Sequence, residues 1–249
     1  MREVRRELLR VGDFGTGGRR MKNEFLETVN VNKFTAICRE LEDPASLIGP
    51  SLAMVTGPAG RGKTEAAKHY AIHSSAVYIP PLNTRTPTMV LREIAFEVGK
   101  LRPVRSEACL AVIGEEMAKE RRLIFIDEAD LLAMQILEML RNLNERFACP
   151  IVLIGEDELK GRVESRRRIA SRIRRRMEFA PVTPQDVAFF FKRCLDLNLS
   201  RDVTAVIHRH GKGDWRPVLT AAIGIERAMK ASDMKECTEE MAKDVIKNS

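Results

Sequence analysis

The sequence predicts an α/β fold, a parallel sheet covered by helices on both faces and followed by a small all-helical unit, on three observations. Short, nearly continuous apolar runs alternate with helical stretches up to Pro181, as expected of strands buried on both faces. Beyond Pro181 the strand pattern stops and only amphipathic helical periodicity continues. Finally, 44% of the 249 residues are hydrophobic but only 5% are aromatic, so the core is aliphatic, and the chain is long enough for one large domain with a small appendage.

Taken in order, residues 1–22 are expected to form a basic tail. Its first twenty positions hold six arginines and a cluster of Gly12, Gly15, Gly17 and Gly18, with room for one short helix. From Glu24 to Leu41, Phe25, Val29, Phe34, Ile37 and Leu41 recur at helical spacing, and Pro44 marks the stop. Strands are expected at 51–56 (SLAMVT, between Pro50 and Gly57), 76–80 (AVYIP), 122–127 (RLIFID), 150–155 (PIVLIG) and 176–181 (RMEFAP). These bound an α/β domain at 23–181. The remainder, 182–249, is expected to hold helices near 183–195, 201–210, 214–230 and 236–247. Thr183, Pro184 and Asp186 supply an N-cap hydroxyl, a proline at the first helical position and an acid in the first turn.

The strongest chemical signal is GPAGRGKT, Gly57 to Thr64, which fits G-x-x-x-x-G-K-[ST] between a strand and a helix. In such a P-loop, Gly57, Gly60 and Gly62 allow backbone N–H groups to converge on phosphates, with Pro58, Ala59, Arg61 and Glu65 in the same segment. Lys63 reaches the terminal phosphates, and Thr64 offers its hydroxyl to Mg²⁺ at a helix N-terminus. The second signal is LIFIDEAD, Leu123 to Asp130, where an apolar strand ends in two acids on the side of an α/β sheet where ligands bind. Asp127 is the candidate metal residue and Glu128 the candidate base for an attacking water, so ATP hydrolysis with Mg²⁺ is the expected chemistry.

This acidic pair, the helical C-terminal unit and two further motifs resemble the AAA+ superfamily of P-loop NTPases over nearly the whole chain. Within GDWRPVL (213–219), Arg216 resembles the sensor 2 arginine that reaches the γ-phosphate. In the run 165–179, Arg172 resembles the arginine finger that completes a neighbouring subunit's site, with Arg175 as second choice, and such a residue implies homo-oligomers. The resemblance fails after the fourth strand, where relatives carry a neutral polar sensor 1 and this chain has Gly155, Glu156 and Asp157. An acid would repel a γ-phosphate, so either the carboxylate contacts water or metal, or that sensor is degenerate.

The compact layout, the loop YIPPLNTRTP and the VLIGEDEL segment further resemble the transposition regulators of that superfamily over about residues 30–230. That resemblance implies ATP-driven rings or filaments on duplex DNA, which present target DNA to a transposase. One member carries an N-terminal helix-turn-helix region; its function here is expected to be absent or supplied elsewhere. The net charge of +7 agrees with a polyanionic partner. Asn83, Thr84 and Arg85, and then Lys100, Arg102 and Arg105, are candidate contacts to DNA phosphates with little sequence choice. A helicase loader or initiator-like ATPase would share every ATPase motif. A protein-binding nucleotide switch would not need Glu128.

Several classes are excluded or disfavoured. The apolar runs, such as Leu123 to Ile126 and Val187 to Phe191, are far shorter than the roughly 20 residues of a membrane span. The basic start lacks the apolar region of a signal peptide, so a cytoplasmic address is expected. Five cysteines at wide spacing with no CxxC pair argue against a disulfide framework or a zinc site, and His69 and His73 lack a zincin glutamate.

Overall fold

A computed structural model describes residues 21–22, 24–81 and 86–248. The expected basic tail up to residue 20, and the candidate DNA contacts Asn83, Thr84 and Arg85, lie outside the described residues. The chain divides into two compact units, Glu27–Ala180 and a helical unit of Pro181–Ser249 joined by the stretch ending at Leu26.

The larger unit holds five parallel strands, β1 (Leu52–Thr56), β2 (Val77–Ile79), β3 (Ile124–Ile126), β4 (Ile151–Ile154) and β5 (Ile173–Glu178), in the order β2-β3-β4-β1-β5. Strands alternate side chains between faces, and β1 illustrates the consequence. Leu52 and Met54 enter one core with α3 (Pro87–Gly99), α4 (Ser106–Lys119), α5 (Met134–Phe147), α6 (Asp157–Glu164) and α7 (Arg167–Ala170). Ala53 and Val55 enter the other, beneath α1 (Val29–Glu42) and α2 (Lys63–His73). Phe34 anchors that second core, stacked on Phe125 at 5.6 Å between ring centroids and edge-on to Phe179 at 6.0 Å. Both faces of the sheet are thus covered, which is why β1, β3 and β4 read as unbroken apolar runs.

Of the element bounds that shift from the sequence expectation, two have a clear physical cause. Helix α1 begins at Val29, not Glu24, because Thr28 caps it by accepting the N–H of Val31 at 3.3 Å. The residues before it belong to the helical unit, where Leu26 packs on the apolar core and the N–H groups of Met21 and Lys22 donate to Glu226 Oε1 at 3.0 Å and the Cys194 carbonyl at 2.7 Å. The last strand begins at Ile173 instead of 176. It is an edge strand in which only Ile173 and Met177 are buried, so the arginines between them conceal it from an apolar-run criterion. A register shift between Leu52 and Ala53 leaves Arg174 without an opposite on β1.

In the helical unit, α8 (Pro184–Leu195), α9 (Arg201–Gly211), α10 (Trp215–Ala231) and α11 (Glu239–Lys247) bury Val187, Phe191, Ile207, Ala221 and Ile225 between them. Thr183 and Asp186 form a capping box, in which Thr183 Oγ1 accepts from the Asp186 N–H at 3.2 Å and Asp186 Oδ2 from the Thr183 N–H at 2.9 Å. The five cysteines are free thiols; burial raises their pKa values, that of Cys149 to about 12. Among the described residues no helix is long and apolar enough to cross a membrane.

Candidate functional site

Strand β1 delivers the chain into the glycine loop at Gly57, and the loop ends at Gly62, the N-cap of α2, with φ of +95°. A side chain at Gly62 would be strained in this left-handed conformation. Ala66 and Ala67 are buried on the inner face of α2, and their small size lets the helix start lie close to the sheet. Lys63 is only 8% exposed, and its Nζ donates to the carbonyls of Gly57 at 2.6 Å and Pro58 at 2.9 Å. Burial lowers its pKa, opposed by Glu156, Asp127, Asp130 and Asp157. The ammonium is therefore held across the mouth of the loop by neutral acceptors, close to acids yet bonded to none of them.

The expected metal residues come together. Thr64 Oγ1 donates to Asp127 Oδ2 at 2.9 Å, which joins the start of α2 to the end of β3. Asp127 is 4% exposed and is satisfied on both oxygens: Oδ1 accepts from the Glu128 N–H at 3.0 Å, and Oδ2 also accepts from the Tyr78 hydroxyl at 2.6 Å. Tyr78 lies outside the sequence prediction, although a polar-tipped ring in the otherwise apolar AVYIP was the available signal. Burial and its bond to Asp127 raise its pKa, so the phenol keeps its proton and is the donor.

Glu128 follows with φ of +49°, a left-handed conformation that is costly for a residue with a side chain and that here turns the chain sharply at the end of β3. The turn it makes exposes its carboxylate beside the buried aspartate. Its pKa is raised by burial first, then by Asp127, Asp130 and Glu156, which makes it a better proton acceptor than an ordinary carboxylate.

The departure at sensor 1 has a local explanation. Asp130 Oδ1 accepts from the Glu156 N–H at 3.0 Å, and a Cβ at Gly155 would stand 2.4 Å from that oxygen. A side chain at 155 would push the Asp130 carboxylate out of this bond. Arg162 completes the clamp by donating to the carbonyls of Asp130 and Leu132. Glu156 is exposed at the N-cap of α6, and Asp157 lies in its first turn, where acids complement the helix dipole.

The candidate finger lies at the other end of the sheet. Leu52, the first residue of β1, pairs with Ile173, so Arg172 sits beside the start of β1, while the glycine loop follows its end. Four residues of strand rise separate the two ends, about 13 Å, too far for Arg172 to serve its own loop. Its Nε donates to Glu145 Oε1 at 2.5 Å, which lowers the Glu145 pKa, and it borders a cleft of about 300 Å³ with Arg121, Asn144 and Ser51. Arg175, the second choice, is bonded to Glu40 at 2.8 Å. Arg216, in the helical unit, is exposed in the first turn of α10, where Asp214 caps its N–H at 2.7 Å and Trp215 packs edge-on against Phe190 at 5.8 Å.

Two of the three described candidate DNA contacts, which follow the C-terminus of α3, fold back onto that helix. Arg102 pairs with both oxygens of Glu93 at 2.8 and 3.1 Å over the ring of Phe96, and Lys100 pairs with Glu97 at 3.3 Å. Arg105 is exposed at the start of α4. Exposed pairs of this kind contribute only about 0–1 kcal/mol, so a phosphate can compete for either cation.

A family model described as an AAA domain matches residues 47–163. The ATP-dependent target DNA activator B of Escherichia phage Mu is 34% identical over 108 residues, 42% of this chain and 35% of that protein. The Mu-like prophage FluMu DNA transposition protein B of Haemophilus influenzae is 31% identical over 120 residues, 47% of this chain and 42% of that protein. The chain thus spans less than half the length of these relatives in the matched region. Among solved structures, the Aeropyrum pernix ORC2 protein superposes with a TM-score of 0.68 at 16% identity over 91% of this chain and 70% of that one. The Thermotoga maritima RuvB Holliday junction branch migration motor gives 0.60 at 16% identity over 88% and 68%. Residues 47–163 thus match an AAA domain, and this nucleotide-binding part of the chain is similar in sequence to the target DNA activator B of phage Mu and to the FluMu DNA transposition protein B.

Proposed function

We propose that this chain binds and hydrolyses ATP with Mg²⁺ at the junction of β1, α2 and β3, and that its ATP-bound copies assemble on duplex DNA and deliver it to a transposase. One observation carries the reading: the Thr64 hydroxyl on the Asp127 carboxylate at 2.9 Å, with Glu128 next in the chain, unites the phosphate loop and the acidic pair in one site. A hydroxyl and a carboxylate are the hard oxygen donors that Mg²⁺ prefers, so Thr64 and Asp127 would hold it. When bound, the ion neutralises phosphate charge. The remaining work belongs to the protein: backbone N–H groups of Gly60 to Thr64 bind the phosphates, Lys63 balances their charge, and Glu128 accepts a proton from the attacking water.

Arg172 is assigned to the neighbouring copy's site because it stands at the wrong end of the sheet for its own. Its contact with Glu145 is exposed and exchangeable, so a γ-phosphate from a second copy can replace the carboxylate. Arg172→Ala is expected to leave ATP binding by the isolated chain unchanged and to lower turnover in assemblies by about a hundredfold or more. Mixing it with wild-type protein should depress activity more than dilution does; a simple dilution curve would transfer the role to Arg175.

DNA binding is tested with random-sequence duplex in filter binding, with and without ATP. ATP should raise the affinity, and added salt should lower it steeply through released counterions. Arg105→Ala should lessen the slope of log affinity against log salt by about one, equally for all sequences. Affinity indifferent to both ATP and salt would remove duplex DNA from the reading, while a response to a transposase alone would leave the protein-switch alternative.

A further inference from the structure

We propose that Tyr78 is a positioning residue for the divalent cation: its hydroxyl locks the Asp127 carboxylate in the orientation that the Thr64 hydroxyl and the metal require. The inference rests on the nucleotide reading above and adds to it a residue from the edge strand, outside both phosphate-binding motifs.

Successive side chains of a strand point to opposite faces of the sheet. Val77 and Ile79 point into the core with α3, so Tyr78 points to the opposite face, where it packs against the cluster of Phe125, Ala66 and Ala67 beneath α2. That is the face on which the glycine loop begins its helix, and the register of β2 on β3 sets Tyr78 opposite Phe125, two residues before Asp127. A phenol is long enough to reach Asp127 from there, and a phenylalanine would fill the same space without a polar group. Burying a hydroxyl is unfavourable unless it is bonded, and the 2.6 Å contact to Oδ2 meets that need.

Its effect on Asp127 follows from counting acceptor positions. An ionised carboxylate has about four lone-pair sites. Tyr78 and Thr64 occupy Oδ2, and the Glu128 N–H occupies one site of Oδ1, which leaves a single open acceptor position. With three donors from three segments, the group cannot rotate without breaking at least two bonds. Without Tyr78, Oδ2 keeps only the Thr64 hydroxyl, the same group that a bound cation needs, and the Glu128 N–H on Oδ1 is then the one other bond that resists a turn of the carboxylate. Partners that orient a metal-binding residue from behind have large effects on affinity although they never touch the ion.

The test separates orientation from shape. A fluorescent, slowly hydrolysed ATP analogue is titrated onto the full chain in EDTA and at increasing Mg²⁺. Tyr78→Phe keeps the ring and removes only the hydroxyl, so affinity in EDTA should match wild type while the Mg²⁺ concentration for half-maximal gain rises roughly tenfold. Thr64→Ala should shift the same midpoint. Tyr78→Met, a flexible filler of similar size, guards against a folding defect in the first variant and should reproduce its Mg²⁺ shift. An unchanged midpoint in both variants overturns the proposal, as does an equal loss with and without Mg²⁺, which would mean that only the shape of the strand matters. A wild-type chain whose affinity ignores Mg²⁺ would overturn the metal-site reading as well, so the two failures are distinct.

Discussion

Lys63→Ala is expected to weaken ATP binding about a hundredfold or more while leaving the fold intact, as expected when one partner of a buried charge contact is removed. Among the described residues the ammonium, 8% exposed, is bonded to the carbonyls of Gly57 and Pro58 alone. These neutral acceptors compensate its burial incompletely, which is why its pKa falls in spite of four nearby acids. A triphosphate offers it a full counter-charge, so the gain on binding is large and is lost with the side chain. Folding loses little, because the two carbonyls lie in a loop and can be rehydrated.

The two effects separate in a thermal melt. At an ATP concentration of about 100 Kd, binding stabilises the wild-type chain by about 2.7 kcal/mol, or roughly 5–10 °C for a chain of this length. A hundredfold loss of affinity leaves about 0.4 kcal/mol at the same concentration, a shift near 1 °C. The melt without nucleotide should move by no more than about 2 °C. An ATP-induced shift of wild-type size in the variant would refute the assignment of the glycine loop.

How much of this was legible in the sequence depends on the range over which the information is local. The glycine loop and its lysine are contiguous, and the contacts of Lys63 to Gly57 and Pro58 span only six and five residues. The strands β1, β3 and β4 are central, buried on both faces and therefore apolar without interruption. The edge strand β5 broke that rule because water covers the arginines along it, and a pattern of arginines looks the same on a strand, a helix or a loop. The start of α1 was missed because the residues before it pack on another unit, and apolar periodicity does not reveal which core a side chain joins. Long-range polar contacts were invisible for the same reason. Tyr78 is 49 residues from Asp127, and the Glu156 N–H is 26 from the Asp130 carboxylate that crowds Gly155. Each residue alone is ordinary; only the sheet order brings them together.

The second large effect is expected from Glu128→Gln, which should cut single-turnover hydrolysis by about 10²–10⁴-fold while retaining ATP binding. Glutamine matches glutamate in shape, so the left-handed turn at φ of +49° and the Asp127 bond to the residue's own N–H are kept. What changes is charge and proton affinity. Glu128 has its pKa raised by burial and by Asp127, Asp130 and Glu156, and that heightened basicity is lost in an amide. Removing one negative charge from this acidic cluster also relieves repulsion toward a triphosphate, so ATP affinity should hold or rise. Binding without cleavage then has a mechanical consequence if hydrolysis is what ends the DNA-bound assembly: variant subunits, once loaded, should stay on the duplex. A chase with unlabelled DNA measures this directly, and release at least roughly tenfold slower than wild type, about 1.4 kcal/mol in the barrier, is the expected result. Release at the wild-type rate, with hydrolysis abolished and ATP bound, would separate the ATPase cycle from disassembly and assign the timing of release to a partner instead.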